Sequence, residues 1–184
     1  MRVLAISGSL RRGSYNSGLL QAAAELLAPG DELVVWDGLR EVPPYDQDDD
    51  VEPAPAAVAS LRRAVAGADA VLIATPEYNS SIPGALKNAL DWASRPLATN
   101  PFRNKPVAVI GSSAGAFGGV WAAAELRKVL AAMGARVTEV ELVVGHAHDK
   151  LDEVGELADD DIRDELREAL DLLLAEAEPA VAVA

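Results

Sequence analysis

Three polar segments of the chain carry residue types that could bind or transform a small molecule. The first is Gly8-Ser9-Leu10-Arg11-Arg12-Gly13-Ser14-Tyr15-Asn16-Ser17, placed between a short apolar run and a helical pattern. A loop between a buried strand and a helix N-terminus offers free backbone N–H groups and the positive end of the helix dipole, and so binds anions. Ser9, Ser14, Asn16 and Ser17 add short hydrogen-bonding groups, and Arg11 adds a cation suited to a phosphate. A helix cap at Asn16 or Ser17 would explain one of these five side chains, not all of them. The loop is not that of a nucleoside triphosphatase: Gly8 and Gly13 have the spacing, but Ser14 stands where the lysine belongs. A dinucleotide fingerprint fails as well, because no glycine stands two residues after Gly8.

The second segment is Thr75-Pro76-Glu77-Tyr78-Asn79-Ser80-Ser81-Ile82-Pro83-Gly84. A flat heteroaromatic ring asks for apolar faces and a few hydrogen bonds at its edge, and a loop with exposed backbone, a Tyr and an Asn can supply both. The plainer alternative is an ordinary Pro-rich turn whose Glu77 caps a helix or faces water. The third segment, Gly111-Ser112-Ser113-Ala114-Gly115-Ala116-Phe117-Gly118-Gly119, lets backbone approach a ligand closely. Within it Gly111, Ser113 and Gly115 spell the G-x-S-x-G of a hydrolase nucleophile, which then needs an acid and a histidine in that order. His146 and His148 are the only histidines, Asp149 follows both, and no H-G-G-G segment follows the third strand, so a hydrolase is the weaker reading of this segment. The two histidines read as solvent-facing polar residues rather than metal ligands.

Composition narrows the chemistry further. Sixteen Lys and Arg against 29 Asp and Glu leave a formal charge of -13 over 184 residues, which repels nucleic acid and anionic membrane surfaces. With no cysteine there is no thiol nucleophile, dithiol pair or zinc-thiolate site, so any redox chemistry must come from a bound cofactor. The apolar run Val3 to Ile6 is too short for a signal peptide, and no run approaches a spanning helix. A cytoplasmic protein that uses neither membrane nor nucleic acid is expected.

The elements that position these segments follow from hydrophobic period. Arg2 to Ser7, Glu32 to Trp36, Ala70 to Thr75, Pro106 to Ile110 and Val137 to Val144 read as strands, the first and third of them buried on both faces. Helices are expected from a cap at Asn16 or Ser17 to Pro29-Gly30, over Ala56 to Ala66 before Gly67, and from Pro83 as first helical residue. A further helix runs from Val120 or Trp121 through Leu126, Val129, Leu130 and Met133 to Gly134. The last opens at Asp159 to Asp161 and turns Ile162, Leu166, Leu170 and Leu173 inward. Asp37 to Pro55, with Pro43, Pro44, Pro53, Pro55 and the acidic run Asp48 to Asp50, reads as an exposed loop with solvated charges.

Strands alternating with helices imply right-handed crossovers and a parallel sheet covered on both faces. The expected fold is α/β, a flavodoxin-like doubly wound five-stranded sheet of order 2-1-3-4-5, in one domain over residues 1–178 with a frayed tail from Pro179 to Ala184. In that topology ligands bind at the carboxyl ends of the strands where the order reverses, between the first and third. The three polar segments all fall at that edge. A phosphorylatable Asp is absent there, since the third strand ends at Thr75.

Gly8-Ser9-Leu10-Arg11 with Ser14 and Asn16, then Thr75-Pro76-Glu77-Tyr78-Asn79, then Ser81-Ile82-Pro83-Gly84-Ala85-Leu86-Lys87-Asn88-Ala89-Leu90-Asp91-Trp92 resemble the NAD(P)H-dependent FMN reductase family, which includes flavin, quinone, azo-dye and chromate reductases. The resemblance implies FMN as cofactor, with NADPH or NADH as co-substrate and a small-molecule acceptor reduced in ping-pong order. It implies that Ser9, Arg11, Ser14, Asn16 and Ser17 hold the FMN phosphate, with Tyr15 in the same loop. Pro76, Glu77, Tyr78 and Asn79 would line the ring, and Ser112 or Ser113 with Gly115 would close its other side. No side chain is then expected to act as a covalent or acid-base catalyst, because the flavin carries the chemistry. A homodimer or homotetramer is implied, with the Pro83–Ser94 helix and its Lys87, Asn88 and Asp91 at the interface; an exposed Lys-Asp pair one turn apart is the plainer reading of the last three. A flavodoxin-like electron carrier would share fold and cofactor but would need a separate reductase. Arg11→Ala is expected to weaken retention of FMN, and an unchanged flavin dissociation constant would remove Arg11 from the phosphate site.

Overall fold

Apolar runs with no polar face can only be strands covered on both sides, and the central strands of this chain are of that kind. The computed structural model describes residues 1–151 and 157–178. In chain order the elements are β1 (Arg2–Ser7), α1 (Tyr15–Leu26), β2 (Glu32–Trp36), α2 (Ala56–Ala66), β3 (Ala70–Thr75), α3 (Gly84–Ala93), β4 (Pro106–Ser112), α4 (Val120–Ala132), β5 (Arg136–Val137), β6 (Leu142–Val144), α5 (Ala147–Lys150) and α6 (Asp160–Ala177). All strand pairs are parallel, in the order β2-β1-β3-β4-β5, with β6 also paired to β4. This is the flavodoxin-like arrangement expected from the sequence.

The period of two along the strands divides the core. Leu4, Ile6, Val71, Ile73, Val107 and Val109 face α2, α3 and α4, where Leu61, Leu86, Trp92 and Leu126 are buried. Val3, Ala5, Ala70, Leu72, Ala74, Ala108 and Ile110 face α1 and α6. Four of these seven are Ala, and α1 answers with Ala22 and Ala23, so helix and sheet approach closely on that side. Inward residues of α6 are Ile162, Leu166, Leu170 and Leu173, and Asp159 caps it by accepting from the N–H groups of Asp161 and Ile162.

Several local expectations are corrected. The edge strand expected over Val137 to Val144 is broken into β5 and β6. Pro106 lies opposite Arg136 but Ile110 opposite Leu142, so the edge takes six steps where β4 takes four. Two extra residues bulge out, and the exposed Glu139 and Glu141 fall in the bulge, where an edge strand tolerates loss of pairing. On its inner side β4 runs on to Ser112, past the expected end at Ile110. The cap of α1 is Ser14, not Asn16 or Ser17: Ser14 Oγ accepts from Asn16 N–H at 3.2 Å. Pro83 is the N-cap of α3 rather than its first helical residue. Val120 and Trp121 are 37% and 49% exposed, and Ala122 and Ala123 take the inward positions of α4 with Leu126 and Leu130.

The Asp37 to Pro55 loop is also less free than its composition implies. It contains two short 3-10 turns, Gly38–Glu41 and Gln47–Asp49. Asp50, expected to be solvated, pairs with Arg62 at 3.3 Å. Tyr45 packs edge-on against the fully buried Trp92, while Trp92 Nε1 and Asn88 Nδ2 both donate to the Pro43 carbonyl, at 2.9 and 2.8 Å. Polar groups of α3 thus replace water for a loop that the sequence alone leaves in solvent. Among the described residues no helix is long and apolar enough to cross a membrane. The tail expected to fray, Pro179 to Ala184, lies outside the described residues.

Candidate functional site

Parallel strands of similar length end together, and the loops after β1, β3 and β4 therefore meet at one edge. Each loop is tied to the next. Gly8 N–H donates to the Ala74 carbonyl at 2.8 Å, extending the β1–β3 ladder by one bond. A Cβ on Gly8 would stand 3.0 Å from Leu86 Cδ2, 3.3 Å from Pro76 Cδ and 3.4 Å from the Ala74 carbonyl oxygen. A side chain here would press on Leu86 and Pro76, so glycine suits the close passage of the first loop past the second.

Loop one is joined to loop three by an amide bracket. Asn16 Nδ2 donates to the Ser112 carbonyl at 2.9 Å, and its Oδ1 accepts from Ser112 N–H at 3.0 Å. Both groups are buried, and the two bonds span 96 positions of sequence. Asn16 thus spends one amide N–H and one lone pair of its oxygen on the backbone of Ser112. Ser112 Oγ is buried and has no hydrogen-bond partner among the described residues, leaving one polar atom for a ligand.

The remaining residues of the first segment are placed as follows. Ser9 Oγ accepts from Arg11 N–H at 3.3 Å, and Ser17 Oγ lies 3.1 Å from Ser7 Oγ at the end of β1. Ser14 caps α1. These hydroxyls have structural partners and each retains capacity for a second bond. Arg11 is exposed, its guanidinium carbon 5.3 Å from the centre of the Tyr15 ring, which gives Tyr15 a role in holding the cation over the loop. Arg40 is a residue that the sequence reading missed. From the 3-10 turn after β2 its Nη2 donates to the Leu10 carbonyl at 2.8 Å, so a third arginine joins Arg11 and Arg12 at the head of α1. Nothing in its Pro- and Asp-rich surroundings marks it, because topology alone brings β2 beside β1.

Loop two is a tight turn. Tyr78 and Ser81 pair through backbone bonds of 3.0 and 3.2 Å, with Asn79 and Ser80 left-handed at φ 53° and 60°. Tyr78 is 52% exposed and Asn79 lies at the exposed tip, whereas Pro76 is buried. The side chain of Glu77 turns away to α4, where Oε2 accepts from Trp121 N–H and Ala122 N–H. The capping alternative for Glu77 is thus the one that the structure adopts for its carboxylate. In loop three, Ser113 Oγ accepts from Gly115 N–H at 3.0 Å, and Ser113 and Gly115 carbonyls receive the N–H groups of Ala147 and His146. His146 and His148 are exposed beyond that contact. Phe117 and Trp121, 67% and 49% exposed, stack edge-on at 5.2 Å beside the site.

A planar ligand with an anionic tail fits this edge. The first-turn N–H groups of α1 that Ser14 does not cap, with the arginines beside them, could hold the anion. Close backbone at Gly8, the unpartnered Ser112 Oγ and the exposed Tyr78 could hold the plane. An FMN matches that donor set. Asn16→Ala leaves the Ser112 N–H and carbonyl buried without partners, and a loss of about 2–4 kcal/mol in unfolding free energy is expected by urea denaturation.

Comparison with known proteins gives an independent view of this edge. The family model described as NADPH-dependent FMN reductase matches residues 1–149, which include all three loops. An NAD(P)H-dependent FMN reductase of Pseudomonas aeruginosa is 42% identical over 94% of this chain and 93% of its own. A 2-hydroxy-1,4-benzoquinone reductase of Burkholderia is 38% identical over 93% of each chain. Among solved structures, a flavoenzyme NAD(P)H:(acceptor) oxidoreductase from Paracoccus denitrificans superposes with a TM-score of 0.86 at 32% identity, covering 96% of both chains.

Proposed function

The chain belongs to the family of NADPH-dependent FMN reductases, and from that premise we propose that it reduces quinones, free flavin or similar small flat acceptors in ping-pong order. It is an oxidoreductase with FMN as cofactor and NAD(P)H as co-substrate. The observation that carries the finer reading is the mutual tying of the three loops around Gly8, which holds a cationic loop and a planar-ligand loop in one fixed relation. Bound at this edge, FMN would supply the redox chemistry between NAD(P)H and acceptor that no side chain of the site provides.

What the protein's own residues do is hold and orient. In this reading the amides at the head of α1, the Ser9 and Ser17 hydroxyls and the Arg11 guanidinium bind the phosphate. Arg11, with Arg12 and Arg40 near it, gives this helix head positive charge in a chain that is acidic overall. Ser112 and Ser113 face one side of the ring, and the Pro76–Asn79 backbone faces its edge. Tyr78, half exposed at the loop tip, offers an aromatic face to the nicotinamide or the acceptor in turn, since both use one place over the ring. No acid-base side chain is required of the site.

A homodimer or homotetramer packed on α3 is part of the same proposal. Asn88 is engaged with the chain's own Pro43–Tyr45 loop. That leaves Lys87 and Asp91, about two-fifths exposed and paired with each other, as the polar pair of that face.

The purified protein is expected to bind FMN, seen in its visible absorbance, and the bound flavin to bleach with NADPH or NADH in the absence of oxygen. Absence of flavin binding, or a bound flavin that neither nucleotide bleaches, would overturn the proposal. Tyr78→Ala is expected to raise the Michaelis constant for acceptor or nicotinamide by about three- to tenfold, the scale of one lost aromatic contact. Wild-type steady-state kinetics in that variant would take Tyr78 off the ring.

A further inference from the structure

Helix α4 begins without a cap of its own. Its N-cap position is Gly119, which has no side chain and lies at φ +96°, where a residue with a Cβ would be strained. The first N–H groups of a helix have no intrahelical acceptor, so those of Trp121 and Ala122 need one from elsewhere. One atom answers both: Glu77 Oε2 accepts from Trp121 N–H at 3.1 Å and from Ala122 N–H at 3.2 Å. A Cβ at Gly119 would meet Glu77 Cβ at 3.6 Å, an ordinary contact, so it is the left-handed backbone at φ +96° and not lack of space that keeps a capping side chain from this position. A second carboxylate returns the contact. Glu125, farther along α4, accepts from Ile82 N–H through Oε2 at 3.4 Å.

Glu77 and Ile82 bracket the turn that contains Tyr78 and Asn79. Two consecutive non-glycine residues, Asn79 and Ser80, are left-handed in it. That conformation is unfavourable by itself and persists where surrounding structure over-determines it. The Tyr78–Ser81 backbone pair closes the turn from within, and the two carboxylate contacts hold it from α4.

We propose that Glu77 and Glu125 are positioning residues, a two-carboxylate clamp by which α4 holds the Pro76–Ile82 loop in the shape that receives the flavin ring. Glu77 acts through the α4 amides and not through the cofactor. Its carboxylate also occupies the anion-attracting end of α4 and leaves the head of α1 to receive the phosphate. The inference rests on the reading of this loop as flavin-lining.

The test titrates apoprotein with FMN, following the quenching of flavin fluorescence, and records the thermal melting of the same apoprotein. Glu77→Ala is expected to weaken FMN binding about tenfold, the scale of one lost charge-assisted cap, and Glu125→Ala about threefold. Glu77→Gln, whose amide oxygen still accepts from the α4 amides, is expected to stay within about threefold of wild type. Wild-type FMN affinity in Glu77→Ala, with or without a lowered melting temperature, would overturn the clamp. So would a Glu77→Gln variant as weak as Glu77→Ala, because an acceptor kept for the α4 amides would then not restore the affinity. Should Glu77→Ala not fold, Glu125→Ala decides: unchanged affinity overturns the clamp, a loss supports it. A wild-type apoprotein that does not bind FMN would overturn the flavin reading of the site instead.

Discussion

The amide of Asn16 and the backbone of Ser112 form the contact on which the arrangement of this protein's edge depends. Both backbone groups of Ser112 are buried at the end of β4, beyond the reach of water, and each takes one half of the Asn16 side chain. An Asn is suited to this because its amide carries a donor and an acceptor in one plane, which an Asp, a Ser or a Gln in the same rotamer does not reproduce. The bracket sets the start of α1 against the end of β4. The head of α1, with its free amides and its arginines, is thereby held at a fixed distance from the glycine-bearing third loop.

Charge is distributed around that contact in a way that the net value conceals. The chain carries 29 acidic residues, yet Arg11, Arg12 and Arg40 gather at the head of α1, one of them brought in from the far side of β2. Carboxylates near the site are directed elsewhere: Glu77 and Glu125 face backbone amides of α4 and of the second loop. The same edge thus presents cations at one helix N-terminus and a neutralised N-terminus at another. An anion approaching this acidic surface meets a favourable field at the arginines, the physical ground for the phosphate site that we propose.

The elements of this fold were largely legible in the sequence, and the reason is burial on both faces. β1 and β3 were read with the boundaries that they have, because a short apolar run ended by Gly8 or Pro76 has no other stable place than the middle of a covered sheet. The family resemblance, carried by the motifs of the first two loops and of α3, pointed to the same edge as the strand order. Less legible were the places where neighbours decide. The edge strand after α4 has apolar residues enough for one continuous strand, but pairing on one side only lets Glu139 and Glu141 bulge out. Asp50 looked solvated until Arg62 of α2 was placed beside it.

Within the site, the sequence by itself determined which three segments meet, which helix head lies among them, and that redox chemistry in a chain without cysteine requires a cofactor. These follow from local rules: strand and helix periods, the hydrogen-bonding deficit of a helix terminus, and composition. Tertiary structure alone decided the work of individual side chains. Asn16 suits a phosphate or a cap by its type, and became a bracket because Ser112 arrives next to it from 96 positions away. Glu77 suits a ring edge, and became the cap of α4 because Gly119 leaves that helix without one. A short polar side chain binds whatever unsatisfied backbone group lies nearest, and in a parallel sheet the nearest group belongs to a distant part of the chain.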